Sequence, residues 1–328
     1  MATLLTGAAF GAAMLASGFH HPSVVISQLR FDNWHMFQAF ITATAASAAI
    51  YSVAERLGYV RITPRANSPL SLFAKYDGNI VGGALLGAGM ALSGSCPGTL
   101  LAQIGAGVRS GLFTLQGALL GGLIWTGFLS KLVKARNETS QSPKPDSSTL
   151  NEHLGLSRST TVAIFDVACI AFVAATTLLA TPAPEPKLLG VVGGLLIATA
   201  QLISIITRRS MLGVSGSYEE FGKHFWSTLG GKDAAPRPGV ANMVFSAGMV
   251  AGSFALAKAA PQLVGGPIAE ISPVLATVGG AIMIIGSRMA GGCTSGHGIS
   301  GISLLSTSSV ITIASAFAAG GAVASTLL

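Results

Sequence analysis

The feature that most constrains this chain is a set of apolar runs that stop short of a bilayer crossing and end in glycine-rich breaks. Ser93-Gly94-Ser95-Cys96-Pro97-Gly98 closes one run, and Gly291-Gly292-Cys293-Thr294-Ser295-Gly296-His297-Gly298 closes another. A straight crossing takes ~20 apolar residues, and the runs at about 79–92 and 272–287 are shorter than that. Non-helical backbone at membrane depth survives only where it is buried in protein or lines a polar cavity. Such breaks therefore predict half-spanning or re-entrant helices. Each of these two carries a cysteine.

Composition supplies the bilayer. Hydrophobic residues make up 50% of the 328 and charged residues only 9%, against roughly 25% charged in a soluble domain. The chain reads as an all-α polytopic membrane protein, with apolar stretches at about 2–17, 35–54, 79–92, 112–129, 160–180, 188–206, 240–260, 272–287 and 308–328. Glycine, 42 residues in all, is concentrated in these stretches, where small residues let helices approach closely. The formal charge of +7 invites a nucleic-acid reading, but 14 of the 19 Lys and Arg fall in three connections, 56–75, 131–158 and 208–237. No basic stripe is interleaved with aromatics, so a nucleic-acid partner is excluded and the pattern is positive-inside. The expected setting is a multi-pass protein of a lipid bilayer, most simply the plasma membrane. The first stretch has no charged residues ahead of its apolar core and does not read as a signal peptide.

The breaks repeat. Residues 7–18, GAAFGAAMLASG, align with 83–94, GALLGAGMALSG, and the same frame places Gly280, Gly286, Gly291 and Cys293 onto Gly83, Gly89, Gly94 and Cys96. A weaker copy begins near Gly194 and continues, after a basic insert, into Ser215-Gly216-Ser217. The expectation is two pseudo-symmetric halves, 1–130 and 160–328, joined by a polar linker at 131–159. Broken segments at corresponding positions of two halves point to a transport site at the repeat interface, which places Cys96 and Cys293 near each other.

Three cysteines without a spaced framework argue against structural disulfides. Cys169, within an apolar run, reads as a small core residue; Cys96 and Cys293 are the candidates for chemistry. Arg288 is the lone charge of its run and needs pairing or solvation; its partner is an anionic ligand, or the residue snorkels to an interface or pairs with backbone carbonyls. His297 follows Cys293 by four residues, with Gly296 favouring a loop; it either holds the Cys293 thiolate or caps a turn. Two cysteines, His297 and the pair His20-His21 raise a metal site, but no CxxC or HxxxH cluster exists, and neither a metal nor a cofactor is expected. Glycine-rich turns entering helix N-termini offer free N–H groups to anions, here from Gly94, Ser95 and Gly98 and from Gly292, Thr294, Ser295, Gly296 and Gly298. An oxyanion with a soft terminal sulfur suits both parts of such a site: oxygens on the amides and Arg288, sulfur toward the thiols. Arg109 reads as an interfacial anchor, and the segment 218–226 as an amphipathic surface helix without chemistry. Asp77 and Asp166 are isolated, so no acidic pair marks a coupling-ion site.

The segment 287–301, SRMAGGCTSGHGISG, resembles the signature of the YeeE/YedE family of sulfur-transport membrane proteins, and 93–98 is similar to the matching loop of the first half. The resemblance implies an hourglass-like bundle whose loops meet at a central constriction, a permease rather than an enzyme, and thiosulfate or a related sulfur anion as substrate, touched by the cysteines in turn. Thiosulfate-type members carry a further cysteine in the first repeat loop. Here His20 stands in that frame position, which implies a relay with one fewer thiol and makes His20 a candidate site residue. Two other readings remain open: a membrane sulfurtransferase that forms a cysteine persulfide and hands sulfur to a soluble cytosolic acceptor, and a thiol redox sensor in which Cys96 and Cys293 form a disulfide.

Overall fold

The computed structural model describes residues 1–140, 145–180, 186–230 and 239–327. Among them the chain is helical, with no strand beyond one isolated bridge between Thr149 and Ser306. Four broken units dominate. The first is α1 (Ala2–Ala16), a break, α2 (Pro22–Leu29) and α3 (His35–Arg56); the second is α4 (Asp77–Ser93), a break, α5 (Thr99–Ala106) and α6 (Arg109–Ile124). Helix α6 runs without a stop through a π-helical turn (Trp125–Leu129) into α7 (Ser130–Thr139), so the expected polar linker begins as further turns of a spanning helix. After α8 (Leu150–Leu154) and α9 (Arg158–Leu179), the third unit is α10 (Gly190–Arg208), α11 (Gly216–Leu229) and α12 (Ala241–Ala259). The fourth is α13 (Pro273–Met289), a π-helical turn (Ser295–Gly301) and α14 (Thr307–Leu327).

Among the described residues, five helical segments are long and apolar enough to cross a bilayer: His35–Arg56, Arg109–Thr139, Arg158–Leu179, Gly190–Arg208 and Thr307–Leu327. Helices α1 and α13 are apolar but shorter; at ~1.5 Å per residue, 15–17 residues fall short of a ~30 Å hydrocarbon core. What stops α1, α4 and α13 is a glycine in the left-handed region: Gly18 at φ 75°, Gly94 at φ 59° and Gly291 at φ 84°. In each case the next amide reaches back to the carbonyl five residues earlier, Phe19 to Met14, Ser95 to Met90 and Gly292 to Ser287. That is the Schellman closure, and these three glycines are the ones the internal alignment superposes.

The units pack reciprocally. Helix α1 lies on α12 while α10 lies on α3, and α4 lies on α14 while α13 lies on α6. The short pieces follow the same rule: α2 meets α14 and α11 meets α6, whereas α5 meets α12 and the 295–301 turn meets α3. Close crossings need glycine, since a methyl on Gly87 would fall inside the Ala316 carbonyl of α14 and one on Gly117 inside the Thr277 carbonyl of α13. Outside this bundle lies α9, which packs chiefly on α3 and buries only Thr161 and Cys169.

Candidate functional site

The breaks after α4, α10 and α13 converge on one fully buried place. Beyond Gly94 the chain turns into α5, and the turn is pinned from within: Gln103 Nε2 donates to the Gly94 carbonyl at 2.9 Å and Ser95 Oγ donates to Gln103 Oε1 at 2.6 Å. Cys96 lies in the turn just before α5. Its amide donates to Thr99 Oγ1 at 2.6 Å, and the Thr99 amide donates to the Cys96 sulfur at 3.3 Å. The first N–H of the helix thus faces the thiol, as in anion-binding termini. Both Cys96 and Cys293 are free thiols, 1% and 0% exposed.

Cys293 is held from two sides. Ser295 Oγ lies 3.2 Å from its sulfur, and the backbone of Val214, Ser215 and Gly296 lies close to it. Val214 and Ser215 belong to the α10–α11 break, so a third unit contributes to the site. The two thiols lie within electrostatic reach of each other, and Thr294, whose hydroxyl has no hydrogen-bond partner among the described residues, lies beside the Cys96 sulfur. Tyr218 completes the enclosure. It is 2% exposed, donates from its hydroxyl to the Pro97 carbonyl at 3.0 Å, and interacts electrostatically with both cysteines. The reading of 218–226 as a surface helix is corrected here: α11 carries charge along one side, but its first turn is buried against the Cys96 loop.

The other predicted residues are distributed around this centre. Gly98 is open toward the thiol: an added Cβ would lie 3.8 Å from the Cys96 sulfur, 3.4 Å from Met14 Cε and 3.7 Å from Val214 Cγ2. Gly298 faces away, toward Ile313, and its carbonyl accepts from Thr44 at 3.1 Å. His297 lies on a π-helical turn rather than in a loop. It donates its amide to the Cys293 carbonyl at 2.7 Å, while its ring bonds to Ser309 Oγ at 2.9 Å and the Ala290 carbonyl at 3.1 Å. Since a carbonyl only accepts, Nε2 carries the proton and Nδ1 accepts from Ser309; the ring braces the loop from behind. Gly292 packs under that ring.

Arg288 ends α13 in an ion pair with Glu219 of α11, and its Nη1 reaches Ser215 Oγ at 3.4 Å. Glu219 also pairs with Lys223. The lone charge of this run thus has an internal carboxylate, supplied by a helix to which the sequence assigned no chemistry. His20 lies in the first break and bonds through Nε2 to the Val264 carbonyl at 3.0 Å, an acceptor that His21 shares. Cys169 sits apart on α9, lining an apolar cavity of about 240 Å³ with Phe40, Met90 and Phe317 that reaches Thr294 and Gly298. Among the described residues no three His, Cys, Asp or Glu side chains are grouped to hold a metal ion.

Sequence reasoning missed Arg65. It lies in the extended strap between α3 and α4, and its guanidinium donates from Nε to the Gly296 carbonyl at 2.7 Å and from Nη1 to the Gly291 carbonyl at 3.0 Å. The only signal was its place in the first basic connection, where a positive-inside reading absorbs every cation alike.

A multi-pass helical membrane protein with broken helices converging on a buried, amide-lined thiol pair belongs to the class of transporters built on discontinuous helices, in which half-helix termini face the substrate path. Within that class, residues 16–323 match the sulphur transport family model, and the chain belongs to this YeeE/YedE family. It is similar to the thiosulfate transporter TsuA of Spirochaeta thermophila, 25% identical over 333 aligned positions that cover 93% of this chain and 92% of that protein.

Proposed function

We propose that this chain is a permease for thiosulfate or a closely related sulfur anion, passing it through a central constriction by transient contacts with Cys96 and Cys293. The observation that carries the reading is the burial of two free thiols where three separate helix breaks meet. Dehydrating a small dianion is costly. The Thr99 amide donates to the Cys96 sulfur, and the backbone of Val214, Ser215 and Gly296 lies close to Cys293, so N–H groups of these breaks are within reach of an anion at the thiols. The thiols are matched to a soft terminal sulfur, which each holds by an S–H···S contact weak enough to release. The similarity to a thiosulfate transporter supports the same substrate.

The reading extends to the architecture: two halves, 1–130 and 160–328, joined by 131–159 and related by a pseudo-two-fold axis through the constriction. The reciprocal helix pairings and the three matching Schellman closures support it. With the basic connections on the cytoplasmic side, the chain sits in the plasma membrane and delivers the anion to the cytosol, where a soluble thiol protein is the expected sulfur acceptor. The test is uptake of labelled thiosulfate by a strain with no other sulfur source, comparing the intact protein with Cys96→Ala and Cys293→Ala. Loss of uptake in both variants at normal membrane abundance is expected; undiminished uptake in both sinks the relay. Persulfide on the purified protein after turnover would favour sulfur transfer over permeation.

A further inference from the structure

Arg288 and Arg65 flank the same thiol loop, but they are electrostatically unlike. Arg288 is compensated by Glu219. Arg65 has only carbonyl acceptors, and among the described residues no carboxylate pairs with it. Two carbonyl bonds occupy Nε and Nη1, which leaves Nη2 beside Gly213 and Gly296; Nη1 lies against Gly292. Side chains larger than hydrogen at 292 or 296 would strike the guanidinium, so these glycines are the space it occupies beside Cys293.

The strap fixes the charge there. The Arg65 carbonyl accepts from Ser306 Oγ at 2.9 Å and Ser308 Oγ at 3.0 Å. Two residues on, the Asn67 amide bonds to the Asp146 carbonyl at 3.0 Å, and the Ser68 amide bonds to Asn79 Oδ1 at 2.9 Å. Asp77, fully buried, accepts from the amides of Leu70 and Leu72 at 2.6 Å each. A partly buried cation, rigidly held and lacking a counter-charge, is a pre-organised site for an anion.

We propose that Arg65 is the anion-recognition residue on the Cys293 side of the constriction, binding the oxyanion end of the permeant ion while Cys293 faces its sulfur. This rests on the functional reading above and adds the residue that supplies the positive charge. The Arg288–Glu219 pair, being internally neutral, has the structural role of joining α13 to α11.

The test is equilibrium binding of labelled thiosulfate to the purified full-length protein, with uptake measured in parallel. Arg65→Gln is expected to weaken binding roughly 10- to 100-fold, the value of one charge-assisted hydrogen bond. Arg65→Lys should fall between Arg65→Gln and wild type, keeping the charge but not the fork. The double variant Arg288→Gln/Glu219→Gln, which removes a neutral pair, should weaken binding less than Arg65→Gln does. A thiosulfate-induced rise in melting temperature, present in wild type and absent in Arg65→Gln, separates binding from bracing. Wild-type affinity in Arg65→Gln overturns the assignment, as does a binding loss in the double variant that exceeds that of Arg65→Gln. If Arg65→Gln fails to fold, wild-type affinity in Arg65→Ala purified with a stabilising lipid, or in Arg65→Met, overturns it equally. Wild-type protein that neither binds nor carries thiosulfate would instead overturn the functional reading, and this assignment with it.

Discussion

Gly98→Ala separates passage from folding. Gly98 has φ −88° and ψ −46°, a conformation any residue adopts. The added methyl would sit 3.4 Å from Met14 Cε, 3.7 Å from Val214 Cγ2 and 3.8 Å from the Cys96 sulfur, all side-chain atoms at ordinary contact distance. The fold should therefore accept it, with a gain of ~0.4–1 kcal/mol from the less flexible unfolded chain. The same methyl fills the shell at about 3.5–4 Å from the thiol that a permeating sulfur needs. Forcing the ion past it resembles overpacking, at ~1–3 kcal/mol, which converts to a roughly 5- to 150-fold slower passage. Gly298→Ala is the internal control: its methyl points at Ile313 Cδ1, 3.5 Å away, and uptake should stay within about twofold, as for a change costing under ~0.5 kcal/mol. The assay is initial-rate thiosulfate uptake into proteoliposomes, with melting temperature recorded for each variant. Wild-type uptake by a stably folded Gly98→Ala protein would show that the gap before Cys96 is not on the path.

Three further outcomes are expected. Tyr218→Phe leaves the Pro97 carbonyl buried without its donor, a cost of ~1–3 kcal/mol; lower thermal stability with reduced uptake is expected, and unchanged values for both would remove Tyr218 from the enclosure. Asp77→Asn replaces the charged acceptor of the strap amides, so limited proteolysis should cut within 57–76 more readily and thiosulfate affinity should fall, though less than in Arg65→Gln; an unchanged cleavage rate would mean the strap is not held there. Cys169→Ala should leave uptake within about twofold of wild type, because Cys169 lies on α9 outside the amide-lined centre; a large loss would add a third thiol to the relay.

Much of this was legible from residues alone. The superposed Gly18, Gly94 and Gly291 mark helix ends because only glycine takes the left-handed conformation without penalty, so a repeat in glycine spacing is also a repeat in backbone geometry. Cys96 and Cys293 were readable because the frame put them at those ends. The charges were not. Arg288 stood out as a single cation in an apolar run, but its partner Glu219 lies on a different helix. Arg65 stood among other cations, and what distinguishes it is its place in three dimensions, bonded to the Gly291 and Gly296 carbonyls of the thiol loop. Tyr218 was hidden by its neighbours, since a polar and aromatic stretch reads as a surface even when its first turn is buried. His20 follows a Schellman closure as Cys96 does, but its ring bond goes to Val264 on the connection after α12.

The central claim is that an anion's sulfur meets these two thiols inside the constriction. Selenosulfate, thiosulfate with selenium as its terminal atom, tests it directly: crystals of the protein grown with the ion would be measured at the selenium edge. The account predicts an anomalous peak at contact distance from the Cys96 or Cys293 sulfur, with oxygen density toward the amides of Val214 and Ser215 and the Arg65 guanidinium. Selenium bound only elsewhere in a protein that transports the ion, with the space between the thiols empty, would contradict it.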